Sequence, residues 1–392
     1  MFALTECRIF TGEAWLEQQA IIINNGRIQA LLPEKTLDPA LPRIPLQGAL
    51  ISAGFIDLQL NGCGGVMFNS DISTATLAHM QRTNLASGTT SFLPTLITSP
   101  DSDIRAALSV TREYMRGHAH QVLGLHLEGP YLNVVRKGIH PAAQVRALDT
   151  DMLDFLCQQS DVLTKITLAP ECHSPQHIRQ LVAAGIKVAI GHTAASFEQA
   201  KASFAAGISF ATHLYNAMTP TANGRTPGVV GAIYDNDSIY AGIIADGFHV
   251  HGANIRLAHK IMGARLCLVT DATAAAGAPA SLTEFDFCST TVRIKDGQCL
   301  DEQGTLGGSA LTMIEGVRYL VNTVGISLEE ALCMASLNPA KAIGRERDLG
   351  AIAVGKVANL VILSEQLSVL NTVVNGQFTN LPDALIGHLD NE

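Results

Sequence analysis

Four short apolar runs in this chain each carry, at or near the end, a side chain that can hold a metal ion or work beside one. This repetition limits the fold more than any other feature. Val122 to Glu128 closes on a carboxylate, Ile186 to His192 on an imidazole, and the run opening at Ser209 brings His213. The fourth, Leu266-Cys267-Leu268-Val269-Thr270-Asp271, ends on a second carboxylate. Side chains tens of positions apart converge if these runs are parallel strands of one barrel. Every strand end then points at one mouth, where such barrels build their active sites.

The rest of the middle region agrees. Further apolar runs lie at Gly54 to Leu60, Thr89 to Leu96, Leu163 to Pro170 and Tyr240 to Asp246, with helix-like stretches such as Ser196 to Ala206 between strands. Eight strands separated by helices favour a (β/α)8 barrel over an open sheet. Two successive units look alike: Ala183-Ala184-Gly185-Ile186 leads to His192, and Ala205-Ala206-Gly207-Ile208 leads to His213. Gly stands where a helix end needs a left-handed residue, so both histidines are expected at similar heights. A mean hydropathy of +0.22 with 16% charged residues suits strands buried on both faces.

The two ends read differently. Asn25-Gly26 sits between apolar runs, a two-residue hairpin signal, and Asn375-Gly376 repeats it near the C-terminus. The expected architecture is a (β/α)8 barrel over residues 54–346 and a small β-sandwich domain built from 1–53 plus 347–381. The loop from Thr219 to Gly228, with two Pro and two Gly, is the expected mobile rim.

Several classes are excluded. No apolar run has the ~20 residues that cross a bilayer. Met1 to Arg8 lacks a basic segment followed by a greasy one, so a cytoplasmic location is the default. The eight cysteines form no Cys-x-x-Cys pair and read as free thiols. With 26 basic against 35 acidic residues the formal charge is −9, and no basic block appears. Nucleic acid and membrane surfaces are poor partners, whereas a small anionic substrate remains compatible with a local Arg or His.

Glu128, His192 and His213 offer one hard oxygen and two imidazoles, a three-ligand set suited to catalytic zinc with one position left for water. Asp271 reads either as a cap for the next helix or as a general base beside that water; its place on the eighth strand favours the base. His118 and His120 follow a helix on the wrong side of their strand, and His173 and His177 lie at a helix start, so all four read as surface histidines. His126 shares a face with Glu128 and is expected behind the ligands. Gly62-Cys63-Gly64-Gly65 belongs to no complete phosphate-binding loop, and no Gly-x-Ser-x-Gly elbow is present. The residues point to metal-dependent hydrolysis.

Leu127-Glu128-Gly129-Pro130, Ile190-Gly191-His192, His213-Leu214-Tyr215-Asn216-Ala217-Met218, Asp246-Gly247-Phe248-His249 and Thr270-Asp271-Ala272-Thr273 together resemble the N-acetylglucosamine-6-phosphate deacetylases of the amidohydrolase superfamily. The resemblance runs almost end to end, through Gly54-Phe55-Ile56-Asp57, Leu306-Gly307-Gly308-Ser309, Asn338-Pro339-Ala340 and Gly355-Lys356. Many amidohydrolases carry His-x-His on the first strand, binding a second metal; here the positions are Gln59-x-Asn61, so one divalent ion is expected, most simply zinc.

The resemblance implies deacetylation of N-acetylglucosamine 6-phosphate by metal-activated water. Asp271 would be the general base and acid, with His140 beside the developing oxyanion. It also implies that Asn216, Ala217, Arg225 and the stretch Asp246-Gly247-Phe248-His249 hold the sugar and its phosphate. Ile139, His140 and Leu306-Gly307-Gly308 would wall the pocket. A homodimer is implied as well, with Arg225 acting in its own or the partner's site. The alternatives are N-acetylgalactosamine 6-phosphate as substrate, or a non-catalytic sugar-phosphate sensor on the same scaffold.

Overall fold

The computed structural model describes residues 1–380. The expected end of the small domain, position 381, lies outside the described residues. Eight parallel strands form the centre: β1 (Phe55–Leu60), β2 (Thr89–Ile97), β3 (Leu125–Glu128), β4 (Leu163–Leu168), β5 (Lys187–Ile190), β6 (Phe210–Ala211), β7 (Tyr240–Ile244) and β8 (Leu266–Val269). Each pairs with the next in sequence order. The first and last meet at the mouth through a parallel bridge between Leu60 and Ala272. There the Asp271 N–H also donates to the Gln59 carbonyl at 3.0 Å.

Helices α1 (Thr74–Ala86), α2 (Asp101–Met115), α3 (Thr150–Cys157), α4 (Pro175–Ala183), α5 (Phe197–Ala205), α6 (Gly228–Tyr234) and α7 (Gly252–Met262) alternate with the strands. Local chemistry sets their limits. Ser196 caps α5 in a reciprocal box with Gln199, and Gly207, at φ +115°, ends that unit where a side chain would be strained. Gly185 ends the α4 unit in the same way, at φ +95°. One continuous core of Leu, Ile, Val and Ala joins the helices to the outer faces of the strands.

All eight expected strands are present, but several stop early. The run from Ser209 supplies a strand only at Phe210–Ala211. The chain leaves the sheet at His192, His213 and Asp271 through left-handed backbone, with φ of 49°, 33° and 50°. Such values are uncommon for residues other than Gly and cluster where function demands them.

Both termini contribute to two packed sheets. One orders Arg27–Pro33, Gln19–Asn24, Phe2–Thr5 and Arg43–Pro45; the other places Leu360–Leu363 between Leu50–Ala53 and Val369–Val374. Leu4, Ile21, Ile51, Leu360 and Val373 share one core between the sheets. Both Asn-Gly turns are hairpins with positive φ at each residue: 48° and 76° at Asn25-Gly26, 48° and 77° at Asn375-Gly376. Gly350 to Lys356 has Gly-x-x-x-x-Gly-Lys spacing, but Val357 stands where a phosphate loop needs Ser or Thr. Lys356 there serves the Leu349 carbonyl.

An antiparallel sheet not foreseen from sequence follows β8. It comprises Glu284–Phe287, Thr290–Lys295, Gln298–Leu300 and Leu306–Ser309. Its last strand is bridged to Ala272, which seats the sheet over one side of the barrel mouth. The eight cysteines are free. No helix among the described residues is long and apolar enough to cross a membrane.

Candidate active site

A cavity of about 310 Å³ opens at the C-terminal ends of the strands. At its floor, Glu128 Oε1 lies 3.2 Å from His192 Nε2 and 3.1 Å from His213 Nε2, and the two nitrogens are 3.0 Å apart. Four donors held tetrahedrally at zinc-like bond lengths stand about 3.3 Å from one another, so these three atoms fit one ion. The His192 Nδ1–H donates to the Arg136 carbonyl at 2.9 Å, which leaves Nε2 with its lone pair toward the centre. Burial alone would raise the Glu128 carboxyl. The His192 and His213 imidazoles packed against it outweigh that and hold it well below the usual range.

His140 competes for the third position, since one of its ring nitrogens lies within 4.8 Å of donor atoms on Glu128 and His192. Its bonding argues otherwise. Nδ1 meets the Thr98 hydroxyl at 2.8 Å and accepts from the Thr98 backbone N–H at 3.4 Å. Burial, reinforced by His192, pushes the imidazole well below its usual pKa. A neutral ring accepting at Nδ1 carries its proton on Nε2 and is a donor there, not a ligand. His213 Nε2, at 3.1 Å from Glu128 and 3.0 Å from His192, fits the third position better.

Asp271 stands beside this set with its two oxygens in different surroundings. Oδ1 accepts from Asn61 Nδ2 at 2.7 Å and from Gln59 Nε2 at 3.1 Å. Oδ2 has no partner among the described residues. Burial, and then the charge of Glu128, raises this carboxyl above its usual range. Gln59 also donates to both Glu128 oxygens at 3.1 Å. The amides that replace His-x-His therefore hold the two carboxylates in register. That role was not visible in the sequence.

The wall contains Ile139, Asn216, Ala217, His249, Leu306 and Gly308. Asp246, Gly247, Phe248 and Gly307 are not part of the lining. Asp246 Oδ2 takes the His249 Nδ1–H at 2.6 Å, and its Oδ1 accepts the backbone N–H groups of Phe248 and His249 at 2.9 Å. It orients the imidazole without lining the cavity. Gly247 is wedged beside Tyr319, and a Cβ on Gly307 would strike Ile139 Cδ1 at 2.5 Å. Phe248 is exposed and lies near Gly297 of the added sheet.

Arg225 lies exposed in a different groove, beside Ala194 to Gln199 and Thr226 to Gly228, and is not among the residues lining the cavity of its own chain. His118, His120, His173 and His177 stay outside it but are half-buried, not fully exposed; His173 bonds the Tyr131 carbonyl and His118 the Tyr114 carbonyl. His126 lies inside the barrel between the hydroxyls of Thr95 and Thr167. The sequence reading missed Arg136, Phe287 and Thr305 in the lining.

A (β/α)8 barrel whose strand ends bring together a carboxylate, two imidazoles and a free aspartate defines a metal-dependent hydrolase, with a divalent ion as cofactor. Comparison with known proteins narrows the class. The chain belongs to the amidohydrolase family, whose model matches residues 50–379, and residues 1–51 match the NagA composite domain. It is similar to the N-acetylglucosamine-6-phosphate deacetylase of Haemophilus influenzae, at 48% identity over 96% of this chain and 99% of that protein. The crystal structure of N-acetylglucosamine-6-phosphate deacetylase from Pasteurella multocida aligns at TM-score 0.95 and 51% identity, over 97% of this chain and 100% of that one. An N-acetylgalactosamine-6-phosphate deacetylase of a Shewanella species is 37% identical over 94% of each chain.

Proposed function

We propose that this protein hydrolyses the acetamide of N-acetylglucosamine 6-phosphate to glucosamine 6-phosphate and acetate, in the cytoplasm and as a homodimer. Glu128, His192 and His213 would hold the ion, and their mix of two nitrogens and one oxygen favours zinc. A divalent ion bound there supplies Lewis acidity toward the amide carbonyl and the attacking water. The observation that carries the reading is the division of labour on Asp271: Oδ1 fixed by Asn61 and Gln59, Oδ2 free beside the ligand set.

Asp271 Oδ2 takes the proton of the attacking water as its oxygen bonds to the carbonyl carbon. It then delivers that proton to the nitrogen as the C–N bond breaks. His140 Nε2–H donates to the carbonyl oxygen as charge develops on it. Asn216, Ala217 and Leu306 border the sugar, and His249, oriented by Asp246, faces its distal end. Arg225 reaches the phosphate from a second copy of the chain, since its own cavity lies beyond it.

The gluco sugar is preferred because the Haemophilus influenzae relative of that activity is 48% identical, against 37% for the Shewanella galacto enzyme. Acetate release from both sugar phosphates, measured side by side with the metal content of the purified protein, tests the proposal. Higher kcat/KM on the gluco sugar in a protein holding about one ion per chain is expected. Faster turnover of the galacto sugar would reverse the assignment, and metal-loaded protein that binds either sugar without releasing acetate would leave a sensor.

A further inference from the structure

A phosphorylated sugar is well served by a cation near one end, yet the cavity of a single chain is lined by two carboxylate residues and one Lys or Arg residue, Arg136. Arg136 ends the short turn Val134–Arg136, and that turn is pinned on both sides. Asn133 Oδ1 accepts the Val135 N–H at 3.0 Å, and the Arg136 carbonyl accepts the His192 Nδ1–H at 2.9 Å. Its guanidinium, by contrast, is free. No N–H of the group finds an acceptor among the described residues, and Nε is buried without one. Neither Glu128 nor Asp271 pairs with it, although both border the same cavity.

Arginines so placed usually spend their N–H groups on carboxylates or carbonyls, because an unpaired buried donor is costly. A fixed backbone carrying an unspent planar fork beside a cavity is suited to an anion that arrives with the substrate. We propose that Arg136 is a phosphate-binding residue of this site, supplied by the same chain that supplies Glu128, His192 and His213. The inference rests on the sugar-phosphate reading above. It makes the phosphate subsite a shared one, with Arg136 contributed in cis and Arg225 by the second copy.

The test uses full-length, metal-loaded protein and the variants Arg136→Ala and Arg136→Lys. Steady-state constants are measured for N-acetylglucosamine 6-phosphate and unphosphorylated N-acetylglucosamine, with inorganic phosphate as a competitive inhibitor. In Arg136→Ala, KM for the phosphorylated sugar should rise about 10- to 100-fold, the range of one charge-assisted hydrogen bond or two. The ratio of kcat/KM between the two sugars should fall by a similar factor, the inhibition constant for phosphate should rise, and Arg136→Lys should recover part of each. A ratio unchanged in Arg136→Ala overturns the proposal. A parallel loss on both sugars together with loss of metal also overturns it, showing that the turn matters only for seating His192. Wild-type protein with no preference for the phosphorylated sugar sinks the substrate reading itself, and the proposal with it.

Discussion

Asp271 can lose its charge without losing its place, and that makes it the cleanest residue to question. In Asp271→Asn the amide oxygen can keep the hydrogen bonds from Asn61 and Gln59 while the NH2 turns toward the cavity. The ligand set is left alone, so metal content and KM should change little while kcat falls about 10²- to 10⁴-fold, the usual share of an acid/base group. Turnover within tenfold of wild type would remove Asp271 from that role. Asp57 offers a stability counterpart deeper in the barrel. Burial pushes its carboxyl from 3.8 up to about 6, against the opposing hydrogen bond from Thr270. A carboxyl raised in the folded state contributes stability that is complete below pH 4 and lost as pH rises through 6. Relative to Asp57→Asn, the wild type should therefore lose about 3 kcal/mol between pH 4 and 7. Urea unfolding of both proteins across that window measures it, and parallel pH curves would refute it. The chemistry of Glu128, His192, His213 and Asp271 was legible because each ends an apolar run. Arg136 was not, because a lone arginine in a loop carries no spacing signal.

The elements explain where reading the sequence failed. Apolar runs were taken as strands to their last residue, whereas His192, His213 and Asp271 sit just past the strands in left-handed backbone. Apolarity marks burial, and His192 and His213 are buried, and Asp271 half-buried, at the mouth without being in the ladder. The sheet from Glu284 to Ser309 was missed although Asp296-Gly297, with φ of 49° and 79°, is the same hairpin signal as Asn25-Gly26. Its strands are short and mix exposed, half-buried and buried residues, so no long apolar run marks them; the turn would have revealed them. That sheet is tied to the site through its final strand, where the Ser309 N–H donates to the Asp271 carbonyl at 2.9 Å. Gly308, at φ +69°, lets the strand come this close, and a Cβ there would lie 2.5 Å from Thr273 Cγ2 and 2.8 Å from the Asp271 carbonyl oxygen. Gly308→Ala should push the strand off, costing about 1–3 kcal/mol and shifting Asp271 enough to lower kcat/KM by about 10²-fold. Urea unfolding together with steady-state kinetics checks both, and wild-type values in each would show that the sheet does not position Asp271.

At the scale of the whole molecule, the sequence placed a barrel between two β-rich ends correctly, because alternation of strand and helix and paired Asn-Gly turns are local signals. It could not say which chain's Arg225 would serve the cavity. Arg225 lies outside the cavity of its own chain, on the rim beside α5. If it serves the phosphate of a neighbouring chain, Asp271→Asn and Arg225→Ala are defects in different sites of the same dimer. Each homodimer would be impaired, the first in kcat and the second mainly in KM. In a mixed dimer the Arg225→Ala chain keeps its own Asp271 and receives Arg225 from its partner, so one of its two sites carries neither change. Random pairing makes about half the dimers mixed, and with one sound site in two the mixture should recover about a quarter of wild-type activity at low substrate. Co-expression of the two differently tagged chains measures this, and the purified mixed dimer should show about half of wild-type activity at low substrate. If Arg225 acted within its own chain, no site in the mixed dimer would be whole, and activity would not exceed the mean of the two parent variants.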